Sequence, residues 1–331
     1  MNFLVITTIQ SPTPALFKYR DLLLELGWRI VVVGDQKSPP TFDLPGVDYL
    51  NLEKQQELFG ELASLVPLNH YARKNLGYLY AIQKGAEAIA ESDDDNIPYD
   101  DKYPNFLPPQ INTSVLEVKD TVNVYSYFTE KKIWPRGIPL DKVGNLVSEE
   151  QIVKKEVTCY LQQGLADLDP DVDAIYRLTT AQGDVIFDSD KKLALGSGCY
   201  SPFNTQNTLF YKEAFPLMLL PISVHSRVTD IWRSYIAQKL LWCMDSSVLF
   251  LSPSVYQQRN EHNLLKDFKD EIPLYTQVND LINLLETFNS DTISPGALMS
   301  ELYSFLRQHN FIGDLDVRLC DLWIKAISSY L

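Results

Sequence analysis

Closely spaced cysteines are missing from this sequence. Its four cysteines, Cys159, Cys199, Cys243 and Cys320, lie far apart, and no two of them form a CxxC pair. This spacing argues against a zinc ribbon and against a disulfide framework. We therefore expect reduced thiols and a cytosolic protein.

Long apolar runs and an excess of basic residues are also missing. The apolar stretch at the N-terminus is too short for a signal peptide and no basic residues precede it. The most apolar stretch, Ala214 to Val224, is interrupted by Pro216 and Pro221, so it is too short to cross a membrane. The net charge of -14 would repel a polyphosphate backbone. We expect neither membrane insertion nor nucleic-acid binding.

Glycine is absent from Thr7 to Thr13, which argues against a dinucleotide-binding oxidoreductase. The N-terminal region does contain the pattern of a β-α-β unit. Phe3 to Thr7 predicts a strand, Pro14 to Gly27 predicts a helix that Thr13 caps, and Arg29 to Val33 predicts a second strand. Such units form parallel sheets, and ligands bind beyond the carboxyl ends of their strands.

Polar residues follow three of the predicted strands. Thr7, Thr8 and Asp35 come at the ends of the first two, and the triplet Asp93-Asp94-Asp95 follows a strand predicted over Glu87 to Ser92. Three adjacent carboxylates repel one another, and Mg²⁺ and Mn²⁺ prefer carboxylate oxygens that they share with substrate phosphates. The sequence therefore predicts a metal-bound nucleotide, in preference to a solvated acidic turn.

Basic residues are predicted near the same edge of the sheet. Arg73 and Lys74 lie in the first turn of a helix that Asn69 caps and Gly85 ends, where the exposed amides also favour anions. A solvated basic face is the alternative for this pair. Arg136, in a proline-rich turn, is expected either to clamp a phosphate or to pair with an aspartate.

The middle of the chain has weaker patterns. Asn96 to Ser114 reads as a long loop, and Thr121 to Phe128 alternates as a strand does. Asp167 to Asp173 contains four acids, most of which we expect to be solvated, before a strand predicted over Ala174 to Leu178. Asn204 lies in a segment of short polar side chains that suits turns or sugar hydroxyls equally.

Helices are predicted for the last third of the chain. Asp230 precedes an amphipathic helix over Ile231 to Trp242, where it either caps the helix or takes part in chemistry. Apolar stripes at helical spacing continue after residue 270. We predict a main domain over 1–270 and a helical extension without chemistry of its own over 271–331.

Several of these segments together resemble the STELLO-type family of glycosyltransferases. In chain order the match runs through Gly27-Trp28, Tyr71 to Ala86, Asp93-Asp94, Trp134 to Gly137, Gln163-Gly164, Pro170 to Asp173, Asn204, Asn207 to Leu209, Asp230 and Leu240 to Trp242. The order of an Asp triplet, a Pro-Asp-x-Asp element and an Asp-headed helix is similar, more distantly, to the reversibly glycosylated polypeptide family, which includes sugar-nucleotide mutases.

Both resemblances imply an α/β fold of GT-A type with a mixed, mainly parallel sheet. In that fold an Asp-x-Asp motif after a strand binds Mn²⁺ or Mg²⁺ and the diphosphate of a nucleotide sugar. Asp93 and Asp95 have this spacing, with Asp94 between them. A late histidine completes the metal site in many such enzymes, which makes His262 a candidate ligand and His225 a second one. A lone histidine is more often structural.

The resulting hypothesis is metal-dependent transfer of a sugar from a nucleotide sugar, with UDP as the expected carrier. Thr7, Thr8 and Asp35 are assigned to the nucleoside, and Asp230 to deprotonating the acceptor hydroxyl, which gives inversion. The remaining candidates for binding the donor are Arg73, Lys74, Arg136 and Asn204.

Three alternatives to this hypothesis were weighed. A nucleotide-sugar-binding scaffold without turnover and a sugar-nucleotide mutase both fit the same residues. A phosphatase with Asp93 as its nucleophile is disfavoured, because that motif follows the first strand of its domain and here about three strands precede it. The donor sugar, the acceptor and the oligomeric state stay open.

Overall fold

The computed structural model describes residues 1–180, 183–258 and 263–331. The strands are β1 (Asn2–Thr7), β2 (Arg29–Val33), β3 (Val47–Leu50), β4 (Ala88–Asp93), β5 (Asn96–Pro98), β6 (Gln110–Leu116), β7 (Ile152–Thr158), β8 (Leu161–Asp167), β9 (Lys192–Leu195), β10 (Asn207–Tyr211) and β11 (Val248–Gln257). The helices are α1 (Pro14–Glu25), α2 (Leu52–Leu65), α3 (Lys74–Gln83), α4 (Tyr125–Phe128), α5 (Ala174–Thr179), α6 (Ser226–Cys243), α7 (Leu264–Asp270), α8 (Ile272–Thr276), α9 (Val278–Thr287), α10 (Pro295–Gln308) and α11 (Asp314–Ile327).

The strands form one mixed sheet in the order β3, β2, β1, β4, β10, β8, β11, β9, β6, β7, and β5 pairs with β11. The first four in this order are parallel, whereas β10 is antiparallel to β4. In the register of β1, Thr7 lies opposite both Val33 and Asp93. The carboxyl ends of β1, β2 and β4 therefore meet at one edge, and the predicted α/β fold with a mixed sheet is confirmed.

Three predicted segments differ in the structure. Asn96 to Ser114 contains β5 and the start of β6 instead of a long loop. Thr121 to Phe128 forms only isolated bridges at Thr121 and Asn123 and then ends in α4, where the hydroxyl of Ser126 donates to the carbonyl oxygen of Asn123. Ala174 to Leu178 is helical, since Asp173 caps α5 by accepting the backbone N–H of Tyr176 at 2.8 Å.

Two helix caps also differ from the prediction. His70, and not Asn69, caps the short 3₁₀ helix Tyr71–Arg73 that leads into α3, and its Nδ1 accepts the N–H of Ala72 at 3.1 Å. His225 caps α6, which begins at Ser226. Asp230 therefore lies inside α6 and is not its cap, which leaves its carboxylate for other contacts.

A fully buried ion pair joins β4 to α6. Both nitrogens at the end of the Arg233 guanidinium donate to Glu91, at 2.5 and 2.9 Å, and neither side chain is exposed. Glu91 lies two residues before the acidic triplet, and Arg233 lies three residues after Asp230. The pair therefore connects the strand that ends in the triplet with the helix that carries Asp230.

The last helices pack against the rest of the chain through the same buried apolar cluster that contains Phe3 and Leu76. Their contribution includes Leu302 of α10 and Trp323 of α11, both fully buried. The predicted division of the chain at residue 270 stays a prediction, and this core continues across it. Among the described residues, no helix is both long and apolar enough to cross a membrane.

A buried carboxylate of α11 holds the segment before α6. Asp316 accepts the N–H groups of Ile222 at 2.5 Å and of Gly313 at 2.9 Å. Two residues after Ile222, the carbonyl oxygen of Val224 lies 2.9 Å from Nε2 of His70. The C-terminal helices therefore support the segment that leads into α3.

Candidate functional site

A cavity of about 510 Å³ opens at the carboxyl edge of β1, β2 and β4. Its volume lies in the range of small-molecule sites. The predicted site residues that line it are Thr7, Thr8, Asp35, Arg73, Asp93, Asp94, Asp95, Arg136, Asn204 and Asp230. Segments far apart in the sequence thus meet around one cavity, as expected for ligands bound at strand ends.

Asp93 has a built-in counter-ion. Nζ of Lys74 lies 3.2 Å from its Oδ1, and Lys74 is fully buried. The hydroxyl of Tyr71 also donates to Oδ1 of Asp93, and it accepts a hydrogen bond from Lys74 at 2.6 Å. Tyr71 was not predicted from the sequence, because nothing in the pattern around it distinguishes its hydroxyl from those of Tyr78 and Tyr80 nearby.

Asp94 and Asp95 point to different partners. The hydroxyl of Thr8 donates to Oδ2 of Asp94, which links β1 to the triplet. Nε2 of Gln257 donates to Oδ2 of Asp95 at 3.1 Å. Burial raises the pKa of both carboxyls, and the neighbouring Asp93 raises it further; the pKa of Asp95 is raised to about 7.

The acidic triplet does not form a complete metal site by itself. Within residues 1–180, 183–258 and 263–331, no three acidic, histidine or cysteine side chains converge as a ready-made metal site. The side-chain hydrogen bonds described above occupy one oxygen of each carboxylate. The second oxygen of each carboxylate is of the kind that Mg²⁺ prefers, and Mg²⁺ is often held by one or two carboxylates plus phosphates. The candidate ligand His262 lies outside the described residues.

Arg73 and Lys74 have separate internal contacts. The guanidinium of Arg73 donates to the side chain of Gln55 and to the carbonyl oxygens of Ala63 at 3.2 Å and Val66 at 2.9 Å. Its burial lowers its pKa. These contacts do not support the phosphate-binding role expected for Arg73. Lys74 is buried and pairs with Asp93, and it is not among the residues that line the cavity.

Asp35 connects the end of β2 to the segment before α3. Its carboxylate accepts the N–H groups of Gln36 at 2.6 Å, Asn69 at 3.0 Å and His70 at 3.1 Å. Lys37, two residues later, is exposed and lines the cavity. It forms no ion pair with the acids of the described ranges. A single lysine in a loop has no distinguishing sequence pattern, so Lys37 was not among the predicted site residues.

Arg136 pairs with aspartates, one of the two options left open by the sequence. Its Nε and Nη2 donate to Asp171 at 2.7 and 2.8 Å, and its Nη2 and Nη1 donate to Asp230 at 2.7 and 3.2 Å. The remaining Nη1 hydrogen is directed at the carbonyl oxygen of Arg227, at 2.5 Å. All five guanidinium hydrogens are therefore used, which is the full donor capacity of arginine, and the role of phosphate clamp is not supported.

Asp230 is almost fully buried yet lines the cavity. Burial raises its pKa, while the pair with Arg136 opposes that rise. The neighbouring guanidinium of Arg227 is bound to Glu271, with its Nε 2.8 Å from the carboxylate. Glu271 also accepts the N–H of Ala174 at 2.8 Å. A residue of the predicted C-terminal extension therefore supports the wall of the cavity.

The expectation that most acids of 167–173 are solvated is wrong. Each of them is held by a partner that the local sequence does not reveal. Asp167 accepts a hydrogen bond from Tyr99, Asp169 pairs with Arg177, Asp171 pairs with Arg136, and Asp173 caps α5 and accepts from Trp134. Burial raises the pKa of Asp173 to about 6.

Asn204 takes part in a turn at the cavity wall. Its Oδ1 accepts the N–H of Gln206 at 2.9 Å, and its carbonyl oxygen accepts the hydroxyl of Thr208 at 2.6 Å. Its Nδ2 forms no hydrogen bond with the part of the chain that the structure describes. The turn therefore leaves one amide donor beside the cavity.

The C-terminal third of this chain has a recognisable counterpart. Residues 227–330 match the family model described as STELLO glycosyltransferases. The chain carries a STELLO-family domain. The resemblance inferred from the sequence to this family is confirmed, whereas the more distant one to reversibly glycosylated polypeptides stays a prediction. The matched residues include Asp230, Glu271 and Asp316.

Two relatives of this chain come from Arabidopsis thaliana. It is 30% identical to the "Probable glycosyltransferase STELLO2" and 29% identical to the "Probable glycosyltransferase STELLO1", in each case over 347 aligned positions. The alignments cover 98% of this chain and 44% of each relative. The chain therefore spans less than half the length of the curated relatives it matches.

Two solved structures resemble this chain weakly. Glucosyl-3-phosphoglycerate synthase from Mycobacterium tuberculosis, in complex with phosphoglyceric acid, is 10% identical with a TM-score of 0.40, and the match covers 88% of this chain and 81% of that one. A mycobacterial protein is 9% identical with a TM-score of 0.42, over 87% and 75% of the two chains. Likeness at this level supports no inference about activity.

Proposed function

We propose that this chain transfers a sugar from a nucleotide sugar to an acceptor hydroxyl. The observation that carries the proposal is the meeting of the acidic triplet, the ends of β1 and β2, and Asp230 around one cavity. The relatedness to proteins named as glycosyltransferases agrees with this chemistry. UDP-sugars are the first donors to test.

The charge of the cavity favours a donor that arrives with a cation. Asp93, Asp94 and Asp95 contribute three carboxylates, and Lys74 is the buried ammonium beside them. A nucleoside diphosphate added to these acids without a cation would be repelled. When bound, Mn²⁺ or Mg²⁺ would supply the positive charge that stabilises the departing diphosphate.

Three residues at the strand ends are suited to the nucleoside and its phosphates. Thr7 ends β1 and Thr8 follows it. The carboxylate of Asp35 is held by backbone amides and can still accept hydrogen bonds from hydroxyl or N–H donors. Lys37 offers an ammonium at the same side of the cavity. We therefore assign Lys37 to the donor phosphates, in place of Arg73.

Asp230 is the candidate general base for an inverting transfer. Its raised pKa makes it a better proton acceptor than an exposed aspartate. The two hydrogen bonds from Arg136 fix the direction of its carboxylate. In this reaction Asp230 takes the proton from the acceptor hydroxyl, whose oxygen attacks the anomeric carbon on the face opposite the departing nucleoside diphosphate.

The test is binding followed by turnover. Calorimetry with a panel of UDP-sugars and GDP-sugars, with and without Mn²⁺, measures donor affinity, and release of nucleoside diphosphate measures turnover. We expect Mn²⁺ to strengthen binding of one donor at least tenfold, and Asp94→Asn to abolish that gain. The matched control is Asp101→Asn, which changes an exposed acid of a loop.

The outcomes separate the proposal from its rivals. A donor that binds but is never hydrolysed or transferred supports a nucleotide-sugar-binding scaffold. Interconversion of one nucleotide sugar into another without an acceptor supports a mutase. The proposal is overturned if no nucleotide sugar binds, with or without Mn²⁺.

A further inference from the structure

The cavity has a cluster of charged residues beside α6, formed by Arg136, Asp171, Arg227 and Asp230 and called here the Arg136 cluster. On the proposed function, this is where the acceptor meets the candidate base. The charges of the cluster that are already paired within the chain therefore determine which acceptors can bind there.

The guanidinium groups of the Arg136 cluster are already neutralised by this chain. Arg136 directs four of its five hydrogens at two carboxylates and the fifth at a carbonyl oxygen. Arg227 is paired with Glu271, and its Nη1 lies 3.5 Å from Asp267. A phosphate or carboxylate on the acceptor would have to displace a buried carboxylate to obtain a guanidinium donor, which is strongly unfavourable.

Among the described residues, carboxylates are the closest charges to the guanidinium groups of the cluster. Asp171 and Asp230 lie inside it, and the acidic triplet lines the same cavity. Two cations among the described lining residues have no acidic partner: Lys37, which follows β2, and Arg73, whose guanidinium is bound to Gln55 and to backbone carbonyl oxygens. Neither belongs to the Arg136 cluster, so within the described chain an anionic acceptor beside this cluster would meet carboxylates and no unpaired guanidinium.

Uncharged hydrogen-bonding groups line the same cavity as the Arg136 cluster. Asn204 keeps its Nδ2 free of contacts within the described chain, and the hydroxyl of Ser226 accepts the N–H of Tyr71 at 3.2 Å while its hydrogen has no partner there. Gln257 uses one Nε2 hydrogen for Asp95. Amide and hydroxyl groups of this kind can form hydrogen bonds with sugar hydroxyls, and no ionised group has to lose its hydration when they do.

We propose that the acceptor is an uncharged polyhydroxyl compound, such as a neutral sugar, and that it binds beside the Arg136 cluster. This inference rests on the proposed function, because it concerns the second substrate of that reaction. It excludes phosphorylated and carboxylated acceptors, which the fold and the family domain by themselves leave open.

Matched pairs of acceptors test the inference on the full chain. Donor consumption is measured with the best-binding nucleotide sugar and Mn²⁺ in the presence of glucose or glucose 6-phosphate, galactose or galacturonate, and cellobiose or cellobionate. We expect each neutral member to accelerate release of nucleoside diphosphate at least tenfold more than its charged partner. Equal or faster reaction with charged members overturns the inference, and so does failure of every neutral member.

A variant adds a second readout. Asp171→Asn removes one of the two carboxylates that neutralise Arg136, so the ratio of charged to neutral acceptor rates should rise at least fivefold. An unchanged ratio in a folded variant counts against the inference. If thermal melting shows that the variant is unfolded, the wild-type pairs decide alone. Donor binding is measured separately. If the donor binds and charged acceptors react faster than neutral ones, this inference is refuted and the proposed function stands.

Discussion

Nζ of Lys74 lies 3.2 Å from Oδ1 of Asp93, and the lysine is fully buried while a quarter of the aspartate side chain is exposed. The ammonium also donates to the carbonyl oxygen of Ser92 at 2.7 Å and to the hydroxyl of Tyr71. The protein therefore neutralises one acid of the triplet from inside and leaves that acid open to the cavity. This asymmetry makes Asp93 available to a cation without leaving it unpaired in the free protein.

Replacing Lys74 should lower stability. Lys74→Met removes three hydrogen bonds and leaves the carbonyl of Ser92 buried without its partner, so the free energy of unfolding should fall by about 2 kcal/mol. Urea denaturation measures the change. Lys84→Met, at an exposed position of the same helical segment, should stay within about 0.5 kcal/mol of the wild type. Equal effects of the two substitutions would show that the buried ammonium is dispensable.

The raised pKa of Asp95 predicts a pH dependence of stability. Because its folded pKa is about 7 and its unfolded value is near 4, the folded state binds the proton more strongly. Asp95 therefore contributes stability at low pH that is lost as pH rises from about 4 to about 7.

Asp95→Asn removes this loss. Its stability relative to the wild type, from urea denaturation at pH 4.5, 5.5, 6.5 and 7.5, should increase with pH by more than about 1 kcal/mol in total. Parallel pH profiles for variant and wild type would show that the Asp95 carboxyl titrates normally. Asp101→Asn is the control for a change of net charge alone.

If Asp230 is the general base, replacing it should lower kcat and leave the affinity for the donor nearly unchanged. Asp230→Asn should lower kcat at least about 100-fold, because general-base catalysis contributes about that much or more. Donor Kd should change less than twofold, measured by calorimetry.

The control for Asp230 is Asp245→Asn, an exposed acid just after α6. It should leave both kcat and Kd unchanged. If Asp230→Asn retains kcat within threefold of the wild type, the proton is taken by another group. A variant with unchanged thermal stability is required for the comparison, since Arg136 loses a charged partner in it.

The contact between α11 and the segment before α6 predicts an effect over a distance. Asp316→Asn weakens the acceptor for the N–H groups of Ile222 and Gly313, which should cost about 2 kcal/mol of stability. Since Val224 contacts His70, and His70 donates its N–H to Asp35, donor Kd should also rise. Asp321→Asn, an exposed acid of the same helix, is the control and should change neither quantity.

Local signals made much of the architecture around β1, β2 and β4 predictable from the sequence. Pro14 at the start of α1 and the β-branched run of β2 have short-range causes, and they led to the correct edge of the sheet. The acidic triplet was correctly assigned to the end of a strand. The features that could not be predicted depend on residues distant in the sequence. Arg136 pairs with Asp171 and Asp230. The first N–H of α5 donates to Glu271, the residue just before α8.

Adjacent residues illustrate the same limit. Arg73 and Lys74 are equally basic in the sequence, yet one binds the carbonyls that end α2 and the other binds the acidic triplet. The two side chains leave the start of α3 in different directions, and a count of basic residues in the sequence does not show such a difference. The cap of this segment is His70 instead of the predicted Asn69.

The ion pair between Glu91 and Arg233 limits how the cavity can open. Separating β4 from α6 would expose or break a charge pair that has no solvent contact, at a cost of several kcal/mol. The distance between the end of β4 and Asp230 should therefore be nearly the same with and without substrates. We expect the loops after β1 and β2, which contain the exposed Ile9 and Lys37, to be the parts that rearrange when a ligand enters.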